Sequence, residues 1–86
     1  YDLGDYNTLG RHPDQTVQLL DRVVSKEHAL IVKRDGRFVI TDLGSRNGSF
    51  VNAVRITGPV YLQDGDEVTM GSSRMIFQQA SADAAR

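Results

Sequence analysis

Apolar residues along this chain gather in short runs, and polar turn formers break those runs at regular intervals. Residues 17–20, 29–33, 37–41, 49–51, 54–56, 67–70 and 75–77 read as β-strands. Asp35-Gly36 separates two of them and predicts a tight hairpin, because both residues tolerate the positive φ of a type I′ turn. Asn47-Gly48 and Asp64-Gly65 are further turn signals, the latter read as a hairpin, and Gly58-Pro59 marks a loop or the entry to a strand. No window carries helical apolar spacing with caps. The exception is the Ala-rich tail, residues 80–86, which reads as a frayed end or the start of a linker helix. Many short strands with frequent turns predict an all-β fold, a two-sheet sandwich or a small barrel. Residues 29–32 and 38–40 are apolar without alternation, which fits strands covered on both faces or on one face plus a loop.

Eighty-six residues make one domain. The chain has no cysteine, so neither a disulfide nor a thiolate metal site is available. That composition fits a reducing, cytoplasmic setting. No run of about 20 apolar residues occurs, which excludes a membrane-spanning helix and argues against membrane insertion. No secretory signal pattern is visible, and the start at Tyr1 predicts a piece of a longer protein. Ten basic and eleven acidic side chains leave a net charge of −1. A domain that grips nucleic acid through its phosphates carries a basic excess, so nucleic acid is disfavoured as a partner. Any positive site must be local.

Three loop-type segments supply donors that an anion would want: Gly10-Arg11, Ser25-Lys26-Glu27-His28, and residues 45–52 with Arg46, Asn47 and Asn52. They offer two guanidinium groups, an ammonium, a hydroxyl and side-chain amides. No thiol stands among them, and only one histidine. This inventory suits gripping a phosphate better than breaking a bond. A hydrolase built on Ser25, His28 and Asp42 is the competing reading. It is disfavoured because there is no Gly-x-Ser-x-Gly elbow, and residues three apart at a strand entry face opposite ways. His28, at the head of an apolar strand, reads as a structural histidine. Asp64, Asp66 and Glu67 have no calcium-loop spacing, and no metal site is expected. Asn47-Gly48-Ser49 is formally a glycosylation sequon, set aside without a secretory signal. The phosphate reading requires all three loops to meet at one rim of the sandwich.

These segments occur in a fixed order: Gly10-Arg11, Ser25-x-x-His28, then Asp42-Leu43-Gly44-Ser45-Arg46-Asn47-Gly48-Ser49-Phe50-Val51-Asn52, and finally Leu62-x-Asp64-Gly65-Asp66-x-Val68-x-x-Gly71. With that order and spacing, residues 9–77 resemble a forkhead-associated (FHA) domain. The resemblance implies a two-sheet β-sandwich of about 10–11 short strands. It implies binding of a phosphothreonine segment without catalysis or cofactor, by a module of a larger signalling protein. The partner would be a Ser/Thr kinase substrate, a separate protein or a segment of the same chain. By motif position, Arg11, Ser25, Lys26 and Arg46 correspond to phosphate-binding positions and Asn47 to the residue that holds the peptide main chain. Gly10, His28, Gly48 and Asn52 correspond to structural support. The domain is expected over 1–79, with 80–86 as tail or linker. Val23, Val24 and Arg74 are candidates for tuning peptide preference.

The chain departs from the FHA pattern in three places. Upstream of Gly10 there is room for one strand where two are usual, so the first strand is either outside the chain or shortened. Ala53 stands where Gly often follows Asn52, which predicts a wider turn or one of another type. Gln15-Thr16 replaces the usual Asn-Asp pair. The alternative class is a β-sandwich that binds partners, or copies of itself, independently of phosphate.

Overall fold

Alternation at period two decides which face of each strand is buried. In the computed structural model, which describes residues 1–79, β1 (Tyr6–Gly10) is followed by β2 (Val17–Gln18), β3 (Ala29–Arg34) and β4 (Arg37–Asp42). β3 buries Ala29 and Ile31, and β4 buries Phe38 and Ile40. The turn between them has φ of 53° at Asp35 and 76° at Gly36, the left-handed pair of a type I′ hairpin. Leu30, Val32 and Val39 face the other side of the sheet, where Leu30 and Val32 are half-buried and Val39 is buried, which accounts for the unbroken apolar runs.

The remaining strands are β5 (Ser49–Val51), β6 (Val54–Arg55), β7 (Val60–Tyr61), β8 (Glu67–Met70) and β9 (Ser73–Ile76). They complete two sheets, one ordered β2-β1-β3-β4-β7 and the other β6-β5-β8-β9. The chain is therefore the all-β two-sheet sandwich expected. It has nine strands among the described residues rather than ten or eleven. Side chains from both inner faces form the core. Ile40 and Met70 are fully buried, and Phe38 meets Phe77 edge to face with centroids 5.4 Å apart. Each such side chain contributes about 1.5–3 kcal/mol by leaving water.

Four details differ from the sequence expectations. β1 is laced with polar residues. It holds together because the buried Asn7 amide donates to Gly4 O and Ile31 O at 2.8 and 3.0 Å. β9 begins two residues before its apolar run, since Met70 pairs with Ser73 across the Gly71-Ser72 turn. Residues 63–66 do form a turn, closed by Asp66 N–H on Gln63 O at 3.0 Å. That turn carries the chain from β7 in one sheet to β8 in the other and is no hairpin. The turn after Val51 is not wider: Val51 pairs with Val54, and Asn52 and Ala53 sit at φ of 50° and 68°. Ala53 thus adopts a glycine-like conformation. The tail reading for 80–86 lies outside the described residues.

The register positions the polar loops. Leu9 stands opposite Ala29, and Ala29 opposite Asp42. The end of β1, the start of β3 and the end of β4 therefore share one row. All three candidate segments leave the sandwich from that row.

Candidate phosphate-binding site

Main-chain hydrogen bonds fasten the loop after β1 to the segment before β3. Arg11 N–H donates to Ser25 O at 3.0 Å, His12 N–H to Lys26 O at 3.3 Å, and His28 N–H to Leu9 O at 2.8 Å. Gly10 makes this approach possible: a Cβ there would lie 2.1 Å from Lys26 O. No side chain fits, so the glycine is a steric requirement of the junction.

His28 fastens the third loop. Its ring is fully buried, and Ser25 N–H donates to Nδ1 at 3.0 Å. The proton therefore sits on Nε2, which donates to Gly48 O at 2.8 Å. One imidazole thus bridges the 25–28 segment and the 45–48 loop. Its ring addresses the main chain of Ser25. Asp42 completes the support. Its carboxylate accepts from the Ser45 hydroxyl, from Ser45 N–H at 2.9 Å and from the Ser49 hydroxyl at 2.7 Å. Burial pushes this carboxyl up, but the three hydrogen bonds, together with the His28 ring 3.9 Å away, outweigh it and hold Asp42 below the ordinary carboxylate value.

On this framework stand the candidate ligand-binding side chains. The Ser25 hydroxyl accepts from Arg46 N–H at 3.2 Å, leaving its own proton to donate outward. Arg11 Nε donates to Val24 O at 3.1 Å, which steadies the guanidinium while its terminal nitrogens stay unspent. Lys26 and Arg46 are exposed, and their side chains make no hydrogen bond or ion pair among the described residues. Asn47 Nδ2 donates to Val23 O at 2.9 Å, tying the third loop to the second and leaving Oδ1 free to accept.

A fourth element joins the rim. Asp21 accepts from Ser72 N–H and the Ser72 hydroxyl at 2.8 and 2.7 Å, and from Val23 N–H at 2.9 Å. The Ser72 hydroxyl is the largest of these influences, and together they bring the Asp21 carboxyl down to about 2. The β8–β9 turn is thereby latched to the loop that carries the Val23 carbonyl.

The structure thus brings the loops of Arg11, Ser25, Lys26, Arg46 and Asn47 together, with Gly10, His28 and Gly48 beneath them. Asn52 does not join them. It lies at the far end of β5, where its amide donates to Asp66 Oδ1 and accepts from Glu67 N–H, both at 2.9 Å. Of the three tuning candidates, Val24 is 1% exposed and belongs to the core, whereas Val23 is 45% exposed beside Asn47. Arg74 pairs with Glu67 at 2.7 Å along β8 and β9. Two polar residues of the site region were not legible in the sequence. Asp21 acts through a partner 51 residues away, and Arg55, a strand residue, rests its guanidinium against Gly48. Among the described residues there is no cluster of His, Asp and Glu able to hold a metal ion, and no helix long and apolar enough to cross a membrane.

The pattern of the FHA domain family matches residues 7–71. The chain belongs to the FHA domain family. It is 43% identical over 70 residues to the oxoglutarate dehydrogenase inhibitor of Corynebacterium diphtheriae, a match covering 81% of this chain and 48% of that protein. The chain spans about half the length of the curated relatives it matches. Among solved structures, one from a structural and functional analysis of phosphothreonine-dependent FHA domain interactions superposes with a TM-score of 0.89. It is 32% identical, over 94% of this chain and 84% of that one. Mycobacterium tuberculosis EmbR, solved with a low-affinity phosphopeptide, gives a TM-score of 0.84 at 36% identity, over 87% of this FHA chain and 20% of EmbR.

Proposed function

We infer that this FHA domain is a non-catalytic reader of phosphothreonine peptides, carried by a larger signalling protein. The observation that carries the reading is the junction at Ser25. The main chain of Arg11 bonds its carbonyl, the main chain of Arg46 bonds its hydroxyl, and Lys26 follows it in sequence. Three cations and a hydroxyl donor therefore leave one spot in a chain whose net charge is −1. A phosphothreonine presents about −1.5 to −2 charges and three acceptor oxygens, which guanidinium forks match. Arg11, Ser25, Lys26 and Arg46 take the phosphate in this reading. Asn47 Oδ1 and its second amide hydrogen address the main chain of an extended peptide. The partner class is an intracellular protein phosphorylated on threonine by a Ser/Thr kinase, either separate or a segment of the same protein. The phosphothreonine dependence of a similar FHA domain and the phosphopeptide bound to EmbR support this class.

Calorimetry with a phosphothreonine peptide selected from a library, and with its unphosphorylated twin, tests the reading. The phosphorylated peptide is expected to bind and its twin to fail. Arg11→Ala should weaken binding about ten- to a hundredfold, the equivalent of one or two charge-assisted hydrogen bonds. Affinity should fall with added salt and below about pH 6, where the phosphate regains its second proton. Equal affinity for the two peptides would overturn the reading.

Phosphate-independent partner binding keeps one observation in its favour. Tyr6, Val32, Val39 and Tyr61 form a single cross-strand row on the outer face of the larger sheet. Tyr6 and Tyr61 are exposed, and Arg37 stacks 4.0 Å from the Tyr61 ring centroid. If both peptides bind alike, Tyr61→Ala distinguishes this face from the loop rim.

A further inference from the structure

Away from the rim, the outer face of the larger sheet combines exposed aromatic rings with unpaired charge. Tyr6, Val32, Val39 and Tyr61 cross it as one row over β1, β3, β4 and β7. The two tyrosines are 65% and 45% exposed, and Val39 between them is buried. The next row, toward the β3–β4 turn, sets Arg34 directly opposite Arg37. Like charges facing each other across a strand pair destabilise it, so folding alone does not favour this arrangement. Arg37 leans on Tyr61 with its Cζ 4.0 Å from the ring centroid, which steadies the guanidinium without consuming an N–H. Arg34 is exposed and makes no hydrogen bond or ion pair among the described residues.

Nothing on this face balances the two guanidinium groups. Thr8, Leu30 and Thr41 continue it on the other side of the row, and no Asp, Glu or Lys of these strands alternates onto it. Asp42 points to the opposite face, where it bonds Ser45 and Ser49, and Lys33 lies there over the Phe38 ring. Tyr and Arg in the absence of Lys, Asp and Glu is the composition of surfaces that bind proteins. Surfaces that hold nucleic acid or anionic lipid gather Lys as well as Arg. A second copy docked face to face would set guanidinium against guanidinium with no carboxylate between them.

We propose that this outer face is a second docking surface, which takes an unphosphorylated acidic protein segment carrying an aromatic or aliphatic side chain. Arg34 and Arg37 pair with its carboxylates, for which the planar guanidinium fork is suited. The strip of Val32 and Val39 between the two tyrosine rings seats the apolar side chain. Arg34 and Ala29 are the two ends of β3, roughly 16 Å apart at the rise of an extended strand, and the recognition rim lies at the Ala29 end. The contact therefore needs no phosphate and leaves the rim free. It stands or falls independently of the phosphothreonine reading.

Selection of this domain against a display library of unphosphorylated peptides, followed by fluorescence anisotropy of the enriched sequences, tests the proposal. Acidic peptides with an aromatic or aliphatic residue should be enriched. Tyr61→Ala should weaken their binding about five- to thirtyfold and Arg34→Glu about three- to tenfold, with Arg11→Ala within about twofold of the wild type. Affinity of Tyr61→Ala and Arg34→Glu for a phosphothreonine peptide should stay within about twofold of the wild type. Arg34→Glu should also melt no lower than the wild type, because it turns a like-charge cross-strand pair into an opposite one. A variant that melts lower and binds less would make Arg34 a structural residue and overturn the proposal. Enrichment of no peptide, or of neutral or basic ones, overturns it as well. Binding that Arg11→Ala removes and Tyr61→Ala spares belongs to the rim. Self-association abolished by Arg34→Glu would give the face to a second copy, and an oligonucleotide or anionic vesicle held through Arg34 where no peptide binds would give it to those ligands; either overturns the assignment.

Discussion

The two ends of the β5–β6 hairpin treat polar groups in opposite ways. At the tip, Asn52 spends its amide on Asp66 and Glu67 and its main-chain N–H on Glu67 O. At the base, where Gly48 meets Arg55, the exposed cations have no partner among the described residues, while the main chain beneath them is fastened by His28 and Asp42. The tip is built to close a turn. The base is rigid in its main chain and open in its side chains, the combination that lets a ligand bind without first breaking internal contacts. Charge alone would not distinguish the two ends; how far each charge is already satisfied does.

The most severe way to break the recognition end is through its main chain. Gly10→Ala would drive a methyl group into Lys26 O, 2.1 Å from its ideal position. Backbone on both sides leaves little room to yield, so a loss of about 3 kcal/mol or more is expected. Urea denaturation reads the loss. A variant as stable as the wild type would mean that the 10–12 and 25–28 segments can separate cheaply, and the preorganisation argument would fall with it.

His28→Ala should come next. It orphans Ser25 N–H and Gly48 O and leaves a cavity where a fully buried ring stood. About 2–4 kcal/mol follows from the unsatisfied groups and the lost packing. Asp42→Asn removes the charged acceptor shared by Ser45 and Ser49 and should cost about 1–3 kcal/mol at neutral pH. Its pH dependence has a definite sign. The Asp42 carboxyl is held below its ordinary value of 3.8 in the fold, so its stabilisation is complete above that pH and is lost as pH falls through the folded value. The stability difference between wild type and Asp42→Asn should therefore narrow in acid. Melting curves from pH 7 down to about 3 check this, and a gap that widens in acid would contradict the assignment of Asp42 as a charged acceptor.

At the open side chains the expectation reverses. Lys26→Ala and Arg46→Ala should each weaken phosphopeptide binding by about three- to tenfold, less than Arg11→Ala, because neither side chain is steadied from beneath. Neither should alter stability by more than about 0.5 kcal/mol, since exposed and unpaired side chains contribute little to folding. Parallel calorimetry and denaturation test both halves. A variant that lost stability and binding together would place that cation in the framework rather than on the rim.

How much of this was legible in the sequence follows the same division. The β3–β4 hairpin was plain from two dense apolar runs around Asp35-Gly36, a turn whose chemistry is entirely local. β1 and β7 were not. β1 owes its place to Asn7 bonding across to Ile31, and β7 is two residues long on the edge of its sheet. The loop cluster around Ser25 was legible because its residues recur in motif order. Asn52 belonged to the same motif yet serves the opposite end of β5, because its partners Asp66 and Glu67 are brought to it only by the β5–β8 pairing. Arg55 was invisible for a similar reason. A strand arginine reads as a solvated charge until the hairpin register sets it against a glycine.

The mildest expected effect lies at the tip, and it tests whether the two ends are independent. Ala53 holds φ of 68°, a left-handed conformation in which its Cβ crowds the following carbonyl. Ala53→Gly removes that crowding, worth about 1–2 kcal/mol, but it also enlarges the conformational freedom of the unfolded chain, which takes back about 0.4–1 kcal/mol. A net gain of several tenths to about 1 kcal/mol is expected from the two together. Asn52, the other left-handed residue of the turn, stays anchored to Asp66 and Glu67, so the register should hold. Phosphopeptide affinity should not change, because the tip is joined to the rim only through the lengths of the paired strands β5, β6 and β8. Denaturation should show the gain and anisotropy no shift. A change in affinity on Ala53→Gly would mean that strain at the tip reaches Gly48 along the strand, and the two ends could then no longer be treated as separate structures sharing one hairpin.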